Sequence, residues 1–252
     1  MTFRIFCEPR IGVVGHTASS RLLAQDATLR NFISSSLDEI MPAACHMVDA
    51  LERWPGSQEP SESGWNIAHN EPQPLFATIE KYPTRAEKFA DSMTWLQSRP
   101  GLAIHHLIDE RSLKWEEVNK VVDIGGSRGT VCMRLIDKYP SIQCVVQDLP
   151  EVINTVRTSF CLNDRITFMG HDFFKEQPVK DADVYLLRWI LHDWSNKYAV
   201  EILKALVPAL ALGSKLIINE MCLPEPGTVS LYEQRFLRYT SPIYSPVEAS
   251  IC

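Results

Sequence analysis

Between residues 22 and 51 the apolar positions recur in steps of three and four, at Leu22, Leu29, Phe32, Ile33, Leu37, Ile40, Met41, Ala44, Met47, Val48 and Leu51. That period predicts amphipathic helix, in more than one piece. Residues 55–64 (PGSQEPSESG) read as loop by composition. Residues 84–87 (TRAE) predict a capping box opening a helix with Phe89, Met93 and Leu96 on one face, ended by Pro100 and Gly101. After Lys120 the pattern changes. Short apolar runs at 121–124, 142–147, 165–169, 184–187 and 215–219 predict strands, with helices expected at 130–139, 150–160 and 197–211. Strands alternating with helices predict an α/β fold built on a doubly wound parallel sheet. Ligands of such sheets sit at the carboxyl ends of the strands.

Composition narrows the function classes. The 252 residues are 45% hydrophobic and 22% charged, enough for one large domain or a domain and a half. Lys and Arg total 25 against 31 for Asp and Glu, a net charge of −6, which argues against nucleic-acid and anionic-membrane partners. Charges interrupt every apolar run well short of the roughly 20 residues a membrane span needs. The first residues, MTFRIFCEPR, lack the apolar core of a secretion signal. Seven scattered cysteines without a C-x-x-C pair predict reduced thiols, a cytoplasmic setting and no zinc cage.

The expected strand ends carry the chemistry. The first runs into DIGGSRG, residues 123–129, where glycines permit a tight turn and a close backbone approach. Neither the dinucleotide fingerprint nor the phosphate-cradling loop fits this spacing, and a plain tight turn is the competing reading. Asp148, 19 residues past Gly129, is placed to accept from two ribose hydroxyls. Asp172 and Phe173 offer an acid and an aromatic face for adenine. Each acid alone also reads as a helix cap; together they predict a nucleoside site without a phosphate clamp. His192 follows the fourth strand and Glu220 the fifth, which predicts a base with an orienting carboxylate. His16, His46, His69, His105 and His106 read as structural or surface residues.

The segments VVDIGGSRG, VVQDLP, GHDFF, LLRWILHDWS and INEMCLPEPG, in this order and spacing, resemble the plant- and fungal-type small-molecule O-methyltransferases that use S-adenosylmethionine. The wording is closest to the fungal secondary-metabolite branch. The resemblance covers nearly the whole chain, with FRIFCEPRIGVVGHT similar to the end of that family's winged-helix, dimer-forming domain. It implies a Rossmann-like class I methyltransferase domain over residues 111–252, preceded by a partial, mostly helical dimerisation region over residues 1–110. It also implies that Asp123, Gly125, Gly126 and Gly129 line the methionine part of S-adenosylmethionine, with Asp148 on the ribose. Asp172 and Phe173 would take the adenine, and Arg188 stands where the family has a basic residue contacting the cofactor. His192 would remove a phenolic proton, oriented by Glu220, with no metal required.

Three departures from the family stand out. The chain starts inside the N-terminal domain, so the helices that interlock two subunits are expected to be missing and a dimer is in doubt. It ends 32 residues after Glu220 in RYTSPIYSPVEASIC, where the family continues with a helix, a strand pair and a second catalytic acid. Residues 215–219 would then form an exposed apolar edge bearing Leu216, Ile217 and Ile218. Arg128 occupies a glycine-loop position that is usually small or neutral, and either a cofactor carboxylate or solvent is its expected partner. A chain so shortened supports a second reading, a remnant that keeps cofactor binding or interaction capacity and turns over weakly or not at all.

Overall fold

The computed structural model describes residues 3–79, 81–109, 113–157 and 163–220, together with 225, 227, 228, 230 and 231. The apolar runs after residue 119 pair as one parallel sheet of β3 (Lys120–Ile124), β4 (Gln143–Asp148), β5 (Ile166–Gly170), β6 (Val184–Arg188) and β7 (Lys215–Asn219), in the order β5-β4-β3-β6-β7. Successive strands go outward from β3 on one side and then on the other. The order therefore reverses between β3 and β6, and the crevice at their carboxyl ends is the natural ligand position.

Alternate residues of each strand feed the two faces. Val121, Val184 and Leu186 pack with α9 (Thr130–Lys138), while Val122, Ile124, Tyr185 and Leu187 pack with α11 (Asn196–Leu206). Burial on both faces is why these strands read as continuous apolar runs. The α11 helix gives way to a single 3-10 turn, Val207–Ala209, because Pro208 cannot continue it. A further helix, α10, spans Pro150–Arg157, and the rest of the expected 150–160 helix lies outside the described residues. Among the described residues, β5 and β7 are the two edges of the sheet. Of the apolar edge expected at β7, only Ile218 is open, at 47% exposure, because Leu216 and Ile217 pack on opposite faces of the sheet.

The chain before the sheet begins with a hairpin, β1 (Phe6–Arg10) against β2 (Val13–His16), followed by helices α1 (Ala18–Gln25), α2 (Ala27–Ser35), α3 (Met41–Cys45), α4 (Met47–Arg53), α5 (Gly64–His69), α6 (Leu75–Ile79), α7 (Pro83–Gln97) and α8 (His105–Ile108). The apolar period over 22–51 thus resolves into several helices, with a wider π turn at Ser36–Ile40. That turn sets Glu39 in the interior. There it accepts from Trp65 Nε1 at 3.0 Å and from Arg85 Nε and Nη2 at 2.8 and 2.7 Å. Burial works against the charged carboxylate, yet Arg85 and Trp65 hold its pKa below the ordinary value. The capping box expected at residues 84–87 does not form. The α7 helix begins two residues earlier, at Pro83, with no side-chain cap, because proline's φ suits the first turn and its missing N–H needs no partner. Residues 110–112, at the expected boundary between the two regions, and the tail 238–252 lie outside the described residues. Among the described residues no helix is long and apolar enough to cross a membrane.

The 55–64 loop is pinned onto the start of α11. Ser195 flanks that helix but does not cap it; its hydroxyl instead donates to the Gln58 carbonyl at 2.9 Å. Gln58 Oε1 takes over the capping, accepting from Lys197 N at 3.0 Å, while Glu59 accepts from Lys197 Nζ at 2.7 Å and Tyr198 Oη at 2.6 Å. Losing a cap costs about 0.5–2 kcal/mol. Gln58→Ala should therefore lower the melting temperature by about 2–4 °C for each kcal/mol lost in a chain of this size. An unchanged melting curve would mean that Ser195 swings in to cap the helix itself.

Candidate active site

The turn after β3 is built by close contact. Gly125 and Gly129 adopt φ +72° and +70°, and Ser127, a non-glycine, is also left-handed at 48°. A Cβ at Gly126 would lie 2.6 Å from Asp123 Oδ2, and one at Gly125 would lie 2.4 Å from Ile190 Cδ1. The glycines let the loop lie flat on Asp123 below it and against the segment after β6 beside it. Gly125 N and Gly126 N both donate to the Gln147 carbonyl, at 2.8 and 3.0 Å, tying the loop to the end of β4.

Asp148 ends β4 with both carboxylate oxygens engaged. Oδ2 accepts from Ser127 N at 2.8 Å and Oδ1 from Leu149 N at 2.9 Å. Burial raises its pKa, against the pull of these two backbone donors. Asp123 is buried beneath the loop at 2% exposure, where burial lifts its pKa to about 7 although Cys132 Sγ lies 3.7 Å from Oδ2. Asp172 accepts from Phe174 N at 3.0 Å, and Phe173 lies 3.9 Å from the position of a Gly125 Cβ. Phe173, Phe174, Trp194 and Tyr198 form an edge-to-face cluster beneath this corner.

The chain leaving β6 turns sharply at Trp189, whose φ is +56°. Glu220, directly after β7, holds this turn with both oxygens. Oε1 accepts from Ile190 N at 2.8 Å and Leu191 N at 2.7 Å, and Oε2 lies 2.6 Å from His192 Nδ1. The acid thus sets both the ring and the backbone that carries it, leaving Nε2 as the outward nitrogen, 3.3 Å from Asp193 Oδ1. Burial opposes the imidazolium, but Asp193 and the hydrogen bond and charge of Glu220 prevail and lift the His192 pKa to about 9. Burial raises Asp193 to about 6, although His192 favours its charged form.

Arg188 sits at the end of β6 with 8% exposure. Its Nε donates to Asn219 Oδ1 at 2.9 Å and its Nη2 to the Leu102 carbonyl at 2.8 Å. Burial lowers its pKa, partly offset by Asp123 and Glu220. Arg128, 28% exposed, pairs with Asp91 of α7 at 2.6 Å, a partner the sequence did not suggest.

The loop, the Ile190–Asp193 turn, Glu220, Asp148 and Phe173 thus meet at one end of the sheet. Asp123 lies a layer below and Arg188 is held between β7 and the Leu102 turn. Sequence reasoning passed over Asp193, although it stands next to His192 in the same motif. It also passed over Asp91 and the Leu102 carbonyl, for which no local signal exists.

The profile of the O-methyltransferase domain family matches residues 55–238. O-methyltransferase kk1A of Curvularia clavata is 44% identical over 94% of this chain and 56% of its own length. Chlorophenol O-methyltransferase of Trichoderma longibrachiatum is 38% identical over 94% of this chain and 53% of its own. The chain therefore spans about half the length of these relatives. The solved structure of LepI in complex with SAM superposes with a TM-score of 0.74 at 26% identity, over 97% of this chain and 64% of that one. A profile matched over most of the chain, together with a parallel sheet that assembles these motifs at one end, establishes that this chain belongs to the O-methyltransferase domain family.

Proposed function

We propose that this chain carries the donor site and the base of an enzyme that moves a methyl group from S-adenosylmethionine to a phenolic hydroxyl of a small molecule. The observation that carries the reading is the His192–Glu220 pair at 2.6 Å, with the imidazole borne on a turn that Gly125 touches through Ile190. The name of the chlorophenol relative and the SAM complex of LepI support the acceptor and donor classes.

The residues at the sheet end fit such a donor. Glycines leave the loop backbone bare, Asp148 and Asp172 supply acceptors for ribose hydroxyls and an adenine amino group, and Phe173 supplies an apolar face. Gly125, Gly126 and Gly129 would lie along the methionine part, with Asp123 and Arg188 shaping the floor and side of the site. The bound donor supplies an electrophilic methyl on sulfur. His192 Nε2 would take the proton of an acceptor hydroxyl placed against it, readying that oxygen for the methyl group the donor would supply. Glu220 fixes the ring and stabilises the resulting imidazolium, a role worth about 10²–10⁴-fold for a positioned base. The apolar side chains left open on the hairpin and the following helices, such as Ile11, Val14, Leu37 and Val48, suit a second copy of the chain.

Removing Asp148 deletes two acceptors of charge-assisted hydrogen bonds, each worth about 1.5–3 kcal/mol. Asp148→Ala should weaken S-adenosylmethionine and S-adenosylhomocysteine at least about tenfold by calorimetry. An unchanged dissociation constant in the folded variant would put the nucleoside elsewhere. His192→Ala should cut turnover about 10²–10⁴-fold with little change in cofactor affinity. Equal turnover would remove His192 from the chemistry.

The base must be neutral to accept a proton, and its charged form persists up to about pH 9 in the free protein. The parent's kcat/KM should therefore rise with pH through that value. Glu220→Gln takes away a charge that favours the imidazolium, so its inflection should move to lower pH. A pH profile that is the same in both proteins would exclude the pair as the titrating unit.

A further inference from the structure

We propose that Arg128 and Asp91 form a tether that sets the position of the cofactor loop from the helical region, making Arg128 a positioning residue for the methyl donor. This rests on the reading that the 125–129 loop holds S-adenosylmethionine.

The loop carries three left-handed residues in five, one of them the non-glycine Ser127. The glycines take that conformation freely, but Ser127 keeps it only because its surroundings hold it. Two acids grip successive residues. From β4, Asp148 Oδ2 accepts from Ser127 N at 2.8 Å. From α7, Asp91 Oδ1 accepts from Arg128 Nη1 at 2.6 Å. The first acid is the one proposed to meet the ribose, so its hold on the loop is shared with a ligand. The second acid has no such duty.

Asp91 is itself held in place. Its Oδ2 accepts from Asn31 Nδ2 of α2 at 2.7 Å. The neighbouring Ser92 hydroxyl lies 3.1 Å from the Asn31 carbonyl, and Phe32 of α2 stacks on Trp95 of α7 at 4.3 Å between ring centroids. The anchor is therefore a packed helix pair, and the Arg128 side chain carries its position to the loop. The pair is partly covered, with side-chain exposures of 28% for Arg128 and 18% for Asp91. Water access keeps its strength modest, so a few-fold change in affinity is the scale to look for.

Calorimetry with S-adenosylhomocysteine on the full chain tests the tether. Arg128→Met and the near-isosteric Asp91→Asn should each weaken binding about fivefold. The double variant should bind no more weakly than either single one, because both remove the same interaction. Arg128→Lys, which keeps the charge, should recover part of the loss. Unchanged affinity in Asp91→Asn and Arg128→Met overturns the proposal, as does a lowered melting temperature without an affinity change or two losses that simply add. Binding by the parent together with unchanged variants would refute the tether alone, whereas a parent that does not bind refutes the donor-site reading and the tether with it.

Discussion

Glu220 is the fixed point of the site. One carboxylate accepts three hydrogen bonds, from Ile190 N, Leu191 N and the His192 ring. The turn it holds starts from Trp189 at φ +56°, a conformation that a bulky residue does not keep unaided. The acid is brought there by sheet register: Arg188 pairs with Asn219, and Trp189 N donates to the Asn219 carbonyl. The strand ends therefore finish level, and the next residue of β7 faces the turn after β6. A one-residue slip would turn Glu220 to the other face of the sheet and leave a half-buried turn without its acceptor.

The glycine loop depends on the same turn from the other side. Ile190 packs where a side chain at Gly125 would sit, and Asp123, Val146 and Phe168 fill the space beneath Gly126 and Gly129. Glycine at these positions thus answers to crowding within the protein as well as to any ligand. Asp123, buried under the loop with its pKa lifted to about 7, belongs to that floor.

The helical region contributes more than cover. It touches the sheet end at three separate points: Gln58 and Glu59 on the start of α11, Asp91 on the loop through Arg128, and the Leu102 carbonyl on Arg188. Each contact falls beside a residue of the candidate site. Positioning of reacting groups is among the larger sources of rate enhancement, and a site built from two regions takes its geometry from how they are joined.

Much of this was legible in the amino-acid order. Continuous apolar runs alternating with helical periods specify a parallel sheet, since burial on both faces demands such runs and crossover helices demand such spacing. The acids, glycines and histidine at the ends of those runs follow, because a parallel sheet gathers its strand ends on one side. Local rules failed where a distant group offered a better partner or where proline set the start of a helix. The Ser195 hydroxyl, beside the start of α11, goes to the Gln58 carbonyl, and residues 84–87 lose their capping role to Pro83. Arg128 in isolation has only a cofactor or water to meet; folding supplies Asp91, 37 positions away. That Glu220 ends one strand and His192 follows another was a reading of the sequence pattern; that those strands adjoin, so that the two meet, came from the sheet order. How strongly that pair and burial shift the imidazole, and what holds the loop from above, arise only when the chain closes on itself, because charge–charge and desolvation effects depend on distance and burial that no local pattern encodes.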